Sequence, residues 1–315
     1  MEVKTLNNKD SKMTNLNFPF VSIITINWNN NDDTSEMLES LRRISYPNYE
    51  IIVVDNFSTQ CDAVILKIKF PEIRLIMSTK NLGFAGGNNL GLKYASGKYI
   101  LLLNNDTVVD KNFLEPLVRL METDHNIGIV SPKIYFYDEP NKLQYAGTTA
   151  INEVTTRGKK FGYGSIDSGK FDDIKETGFA NGACMLVRQS LINQVGFLRP
   201  EYFMYYEETD FCLRAKKNGF KVFFNPESKI HHKGSSSTGR KSPLQTYYMN
   251  RNRVLFIRLN FTGSKKYVAL MYYAVVAFPY TMIKNILFAR TGHLKALFKA
   301  IIWNMKASGL SIISN

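Results

Sequence analysis

After Glu227 the sequence holds no acidic residue. Residues 228–315 carry 14 of the 40 lysines and arginines, whereas 1–227 holds 26 of them against all 27 aspartates and glutamates. The net charge of +13 therefore belongs to the C-terminal part. This predicts a boundary near 240 and an anionic partner for the basic part beyond it, nucleic acid or a membrane surface. Cysteine is scarce. Cys61, Cys184 and Cys212 are odd in number and sit in apolar or helical patterns, which excludes a disulfide framework and fits a reduced compartment. The first residues lack an apolar h-region, so no signal peptide is expected and 1–18 reads as a loose tail. The uncharged stretch Tyr267–Ile283 is only 17 residues long, near the lower limit for crossing a bilayer, and contains Pro279 and four tyrosines.

What is present begins with alternation. Runs 21–28, 49–56, 73–78 and 99–106 are rich in β-branched and apolar residues. Between them, 32–43, 62–70 and 81–96 carry helical patterns, the first opening at an Asp/Thr/Ser cap. Continuous apolar strands alternating with helices predict an α/β fold with a mostly parallel sheet covered on both faces. Ligands in such sheets bind beyond the carboxyl ends of the strands.

Four polar clusters fall at those ends: Asn27-Trp28-Asn29, Asp55-Asn56, the Gly-rich turn before Asn88 and Asn89, and Asn104-Asn105-Asp106. Each alone is also ordinary turn chemistry; together they converge on one crevice. There Asp55 can accept from a base or ribose hydroxyl. Asp106 offers a hard carboxylate oxygen to a divalent cation that bridges phosphates.

Further on, Glu207, Glu208 and Asp210 open a helix that Gly219 closes. Acids favour a first helical turn for dipole reasons alone. Here they also come after Phe203, Met204, Tyr205 and Tyr206, whose apolar surface desolvates a carboxylate and raises its pKa toward that of a general base. Asp210 reads as a cap or as the holder of a neighbouring basic group. His231 and His232, before Lys233-Gly234 and Ser235–Ser237, read as packed structural histidines. Gly182 and Ala183 allow close approach of a bound group, and 138–176, without periodicity, reads as loops.

The stretches "VSIITINWNN", "IIVVDNFS", "NLGFAGGNNLGL", "LLLNNDTVV", "GFANGACMLVRQSL", "FMYYEETDFCLRAKKNGF" and "IHHKGSSS" together resemble the inverting glycosyltransferases of family 2. The likeness is strongest to the rhamnosyltransferase-like branch of surface-polysaccharide enzymes, and it continues into "YYMNRNRVLF". The resemblance implies a GT-A, Rossmann-like α/β/α sandwich over 19–240. It implies a nucleotide-sugar donor (dTDP-rhamnose or a UDP-hexose) bound by Asn27, Trp28, Asn29, Asp55, Asn88, Asn105, Asp106 and Gly182. It further implies Mg²⁺ or Mn²⁺ on Asp106 and His232, with Asn104-Asn105-Asp106 in the family's Asp-x-Asp slot and Lys233 and Arg240 closing over phosphates, and Glu208 as catalytic base in the Glu-Asp slot.

The tail, 241–315, reads as a basic helical region. Leu294, Leu297, Phe298, Ile301 and Ile302 form an apolar face with Lys295, Lys299 and Lys306 off it and Trp303 at its boundary. That pattern fits attachment to the anionic inner leaflet and a saccharide or lipid-linked acceptor, with cytoplasmic catalysis, and disfavours nucleic acid. Both helices packing on the catalytic domain is the other reading. A nucleotidyltransferase is disfavoured because "NWNNNDD" after the first strand is not a Gly-rich basic phosphate loop. An inactive nucleotide-sugar binder is the remaining alternative.

Overall fold

The computed structural model describes residues 18–234 and 242–307. The expected tail 1–18, apart from Phe18, and the Ser235–Ser237 and Arg240 positions lie outside the described residues. The chain begins with β1 (Val21–Asn27), α1 (Asn31–Leu41), β2 (Tyr49–Asp55), α2 (Val64–Lys69), β3 (Arg74–Met77), α3 (Gly83–Leu92) and β4 (Tyr99–Leu103). These four strands pair in parallel in the order β3-β2-β1-β4. Along them, Val21, Ile23, Val53, Leu101 and Leu103 enter one core, while Ile24, Ile52, Val54, Ile100 and Leu102 enter the other. Because strand side chains alternate faces, a continuous apolar run is what a sheet buried on both sides requires.

The second half adds β5 (Thr107–Val109), α4 (Leu114–Thr123), β6 (Ile127–Phe136), β7 (Leu143–Tyr145), β8 (Lys175–Glu176), β9 (Cys184–Arg188), α5 (Gln189–Val195), α6 (Glu207–Lys217) and β10 (Lys221–His232). Here antiparallel β9 joins β4 to β6, and β10 runs parallel to β6. The mostly parallel expectation thus holds for the first half, and antiparallel strands extend the sheet on the other side. Two local expectations shift. The fourth strand stops at Leu103, releasing Asn104-Asn105-Asp106 as a turn before β5. Helix α1 is capped by Asn30, whose side chain accepts from the Asp33 N–H (3.1 Å), and not by the acids and hydroxyls after it.

Beyond 241 come α7 (Pro243–Asn260), α8 (Gly263–Tyr272), α9 (Phe278–Leu287) and α10 (Thr291–Ala307). Helix α7 is bonded into the first body. Its Leu255, Phe256 and Ile257 pack with Tyr202, Tyr206 and Phe261, and Arg253 donates to Thr156 Oγ1 (3.0 Å). Helices α8 and α9 run on through a π-helical stretch, Tyr273–Ala277, just before Pro279. A π turn beside a proline is a common way to absorb its missing N–H. The resulting 25-residue helix, Gly263–Leu287, is long and apolar enough to cross a membrane by length and composition. Helix α10 divides the stripe expected from sequence. Leu297 is buried, while Phe298 and Ile302 are exposed, because the same helix covers α7.

Candidate active site

A cavity of about 510 Å³ opens over the carboxyl ends of β1 and β4, lined by Trp28, Asn56, Asn88, Asn105, Asp106, Gly182, Glu207, Glu208 and His232 among others. Trp28, Asn88, Asn105, Asp106, Gly182, Glu208 and His232 are thereby brought together as the sequence suggested. Asn27, Asn29 and Asp55 are not in its lining. Asp55 is buried beneath, accepting from Asn27 Nδ2 (3.0 Å), Ser58 Oγ (2.6 Å) and Ser58 N (3.0 Å). Asn29 adopts a left-handed conformation (φ 54°) and uses its Oδ1 to hold the N–H groups of Thr59 and Gln60. These three residues build the loop beside the cleft wall, where Asn27 and Asp55 are held by hydrogen bonds within the protein. The wall position beside Asp55 belongs to Asn56.

Asp106 and His232 stand side by side in this lining. The two histidines end β10, and strand alternation sends them to opposite faces. His231 stacks on Tyr135 and lies 3.6 Å from Asp110. His232 turns into the cleft, its Nε2 3.1 Å from Asp106 Oδ1 and its Nδ1 2.5 Å from Gln144 Oε1. Two adjacent ligands of an octahedral ion with bonds of about 2.1 Å lie about 3 Å apart, so this carboxylate oxygen and imidazole nitrogen suit a divalent cation. Lys233, expected near phosphates, instead pairs with Asp33 and Glu36 of α1 (both 2.5 Å).

The lining also includes Glu207 and Glu208. They come after a turn in which Phe203, Tyr205 and Tyr206 all have positive φ (65°, 68° and 79°), each costing roughly 1–2 kcal/mol for a residue with a side chain. Helix α7 and α3 hold that turn: Asn252 donates to three of its carbonyls, and Ala85 N donates to Phe203 O (3.2 Å). Gly83 (φ +68°) permits the α3 approach, since a Cβ there would stand 2.4 Å from Phe203 O. Asp210 does hold basic groups, Arg199 (2.9 Å) and Arg214 (2.8 Å), and also accepts from Asn260 (2.7 Å).

The two glutamates face different surroundings. A Cβ at Gly182 would lie 3.9 Å from Glu208 Cβ and Cγ, so this glycine leaves open the space under Glu208. Burial raises the Glu208 pKa, opposed by helix N–H groups and the Lys160 ammonium. Burial and then the Glu208 charge hold Glu207 well above the usual carboxylate range. Lys160 is exposed as a residue, yet protein around its ammonium lowers its pKa while Glu208 raises it. Paired carboxyls whose environments separate their pKa values divide into an acid and a base. Burial raises both, and the neighbouring Glu208 charge pushes Glu207 further up while Lys160 and helix N–H groups oppose the rise at Glu208. Sequence reasoning missed Lys160 and Gln144, and placed Asn56 at the crevice only as the neighbour of Asp55. Lys160 and Gln144 lie in the unperiodic 138–176 region, and only their place in the fold reveals them.

A family model described as glycosyl transferase family 2 matches residues 22–196. The chain is 29% identical over 243 residues to the low-salt glycan biosynthesis hexosyltransferase Agl10 of Haloferax volcanii, covering 75% of this chain and 74% of that one. It is 25% identical over 244 residues to the dTDP-rhamnosyl transferase RfbF of Shigella flexneri, covering 73% and 78%. Among solved structures it resembles the mannosyltransferase PcManGT of Pyrobaculum calidifontis, in complex with GDP-Man and Mn²⁺. The TM-score is 0.56 at 15% identity, with 93% of this chain and 76% of that chain covered. The shared fold is GT-A.

Proposed function

The chain belongs to glycosyl transferase family 2 and is a glycosyltransferase of glycan assembly; from that premise we propose an inverting, metal-assisted transfer at a membrane surface. The observation that carries the reading is one cavity lined both by the pair Asp106 and His232, which suits a cation, and by a desolvated carboxylate, Glu208. A nucleotide sugar lies between them. Trp28, Asn56 and Asn88 wall the nucleoside end over the loop that Asp55, Asn27 and Asn29 hold in shape, and Asn105 borders the phosphates. Gly182 leaves room for the sugar and the incoming hydroxyl.

Glu208 takes the proton from the acceptor hydroxyl. The freed oxygen attacks the anomeric carbon from the face opposite the diphosphate, forming one C–O bond as the other breaks, and the configuration inverts. The diphosphate leaves with the bonding electron pair. Mg²⁺ or Mn²⁺ held by Asp106 and His232 would neutralise the charge that builds there. Burial and the Glu208 charge both favour the neutral form of Glu207 beside the base.

The donor is dTDP-rhamnose or a UDP-hexose, consistent with the names of the two relatives. The acceptor is a saccharide or lipid-linked saccharide. We place the catalytic unit at 19–261, with α7 inside it, and assign Gly263–Leu287 to the inner-leaflet surface of the cytoplasmic membrane. A thermal-shift panel of nucleotide sugars with and without Mn²⁺ tests the reading. One dTDP- or UDP-sugar should raise Tm more with Mn²⁺ than without and then serve as donor in a transfer assay. A panel with no stabilising nucleotide sugar and no donor turnover would leave only a member of the fold without the activity.

A further inference from the structure

Asn252, in the middle of α7, is fully buried, and nothing in its sequence setting marks it as part of the site. Its Nδ2 lies 2.9 Å from Tyr202 O, 2.7 Å from Met204 O and 2.7 Å from Tyr205 O. Arg251 Nε donates to Asn252 Oδ1 (2.7 Å), and Arg251 Nη2 donates to Glu201 O and Tyr202 O (both 2.6 Å). Occupation of Oδ1 by Arg251 fixes which way the amide points, so both Nδ2 hydrogens are directed at the turn. The carbonyls they meet belong to the segment in which Phe203, Tyr205 and Tyr206 are left-handed. Three carbonyl dipoles converging on one point repel unless a donor sits among them, and a buried acceptor left without a donor is costly.

We propose that Asn252 is a positioning residue for transfer: its carboxamide locks the left-handed turn 203–206 so that α6 starts with Glu208 facing the cleft over Gly182. The inference rests on the reading of Glu208 as the base. No other side chain of this size does the same work. Aspartate has no N–H to give, and serine reaches one carbonyl. Glutamine is one methylene too long for a fully buried site between α7 and the turn. The lock is also remote from the donor. Trp28, Asn56, Asn88, Asp106 and His232 stand after β1, after β2, on α3, in the turn after β4 and on β10, whereas the bonds of the Asn252 side chain go to Arg251 and the turn. Loosening the turn therefore acts first on the base, whose helix follows directly, and reaches α3 only through the Phe203 contacts with Gly83 and Ala85. It also lets water reach Glu208; of the titratable groups around the Glu207–Glu208 pair, Lys160 from the 138–176 region and Tyr206, Asp210 and Cys212 beside or on α6 are unaltered by the substitution, and Arg251 on α7 keeps its Oδ1 partner in Asn252→Asp and loses it in Asn252→Ser.

The test uses the full chain carrying Asn252→Ser and, separately, the isosteric Asn252→Asp. In both, kcat for transfer should fall about 10- to 100-fold, the scale of a misplaced catalytic group. The donor KM should stay within about twofold. The acid limb of the kcat/KM profile should move to lower pH, because a hydrated carboxyl releases its proton more readily than a buried one. Variants that lose Tm but keep wild-type kcat and the wild-type acid limb would overturn the proposal, as would a donor KM that rises in step with the loss of kcat. Failure of both variants to fold would assign Asn252 a purely structural role and overturn it as well. Glu208→Gln, measured beside them, separates the two ideas. Near-normal transfer in Glu208→Gln removes the base reading itself. A crippled Glu208→Gln beside normal Asn252 variants removes only the positioning role.

Discussion

His232 holds its Nε2 3.1 Å from Asp106 Oδ1 while its Nδ1 meets Gln144 Oε1 at 2.5 Å. An amide oxygen only accepts, so Nδ1 is the nitrogen that donates to Gln144, and Nε2 is the one a metal would take. Asn104 Nδ2 approaches the same nitrogen at 3.4 Å, as a donor would. Two electron-rich atoms set face to face suit a cation between them, and Gln144 fixes the tautomer that makes this possible. Asp106→Ala should therefore abolish EDTA-sensitive turnover and Mn²⁺-dependent nucleotide binding, with the fold retained by circular dichroism. Gln144→Ala should weaken Mn²⁺ by about 10- to 100-fold, the usual cost of removing a partner behind a ligand. Calorimetric titration with Mn²⁺ reads both. Unchanged Mn²⁺ affinity and wild-type rates in Asp106→Ala would place the metal elsewhere.

The glutamate pair makes turnover depend on pH. Burial raises Glu208 above the usual 4.5, so the base is deprotonated only at higher pH and the acid limb of kcat/KM should lie above that value. Lys160 works against the rise; Lys160→Met should move the limb to still higher pH. Glu208→Gln should lose about 10²- to 10⁴-fold in kcat with donor binding intact, and Glu207→Gln should lose far less. Burial of the pair also ties stability to pH. A carboxyl whose folded pKa is raised costs stability as pH climbs above its unfolded value, since the unfolded chain gives up the proton first. Glu207→Gln should accordingly raise Tm at pH 7 and leave it unchanged near pH 4. The opposite ranking of the two variants in kcat would mean that Glu207 is the base.

Much of the fold and the cleft is legible in the sequence because it rests on period and punctuation. Buried strands such as 99–103 are continuous apolar runs, and Asn and Asp at their ends mark the crevice. What escapes depends on contacts far along the chain. Asp55 carries the residue type of a ligand, and the hydrogen bonds that Ser58 and Asn27 also give it are not shown by any spacing. Lys233 comes after a histidine at the cleft, yet the helical spacing of Asp33 and Glu36 draws its ammonium to α1. Asn252 lies nearly fifty residues after the turn it holds, inside a helix whose own pattern gives no sign of it. The stripe on α10 is apolar as its sequence says, but one helix face meets two destinations, α7 and the outside.

That outside is apolar along a second helix too. Along Gly263–Leu287 the inward positions Ala269 and Tyr273 are buried, while Tyr267, Met271 (65% exposed), Val275, Tyr280, Ile283 and Leu287 (76% exposed) point away from the body. A long apolar face on a helix whose other face is already packed suits a surface that it lies on, in the interface plane. No acidic residue after Glu227 opposes an anionic leaflet. The full chain should float with anionic vesicles at low salt, and its binding should weaken as salt screens contributions of about 1 kcal/mol per basic group. Deleting everything after 262 is a poor test, because α10 supports α7. Trp303 covers Arg251 (4.5 Å), and Asn304 donates to Arg251 O (3.1 Å). Replacing Met271, Val275 and Leu287 together by glutamate alters only exposed positions. That variant should stay folded, keep donor hydrolysis, leave the vesicles and lose transfer to lipid-linked acceptors. Alkaline carbonate should strip the wild-type chain from membranes, as it does a peripheral protein; resistance to carbonate would instead mean that the helix spans. If the wild-type chain never floats, or the glutamate variant floats as well as wild type, that apolar face meets something other than lipid.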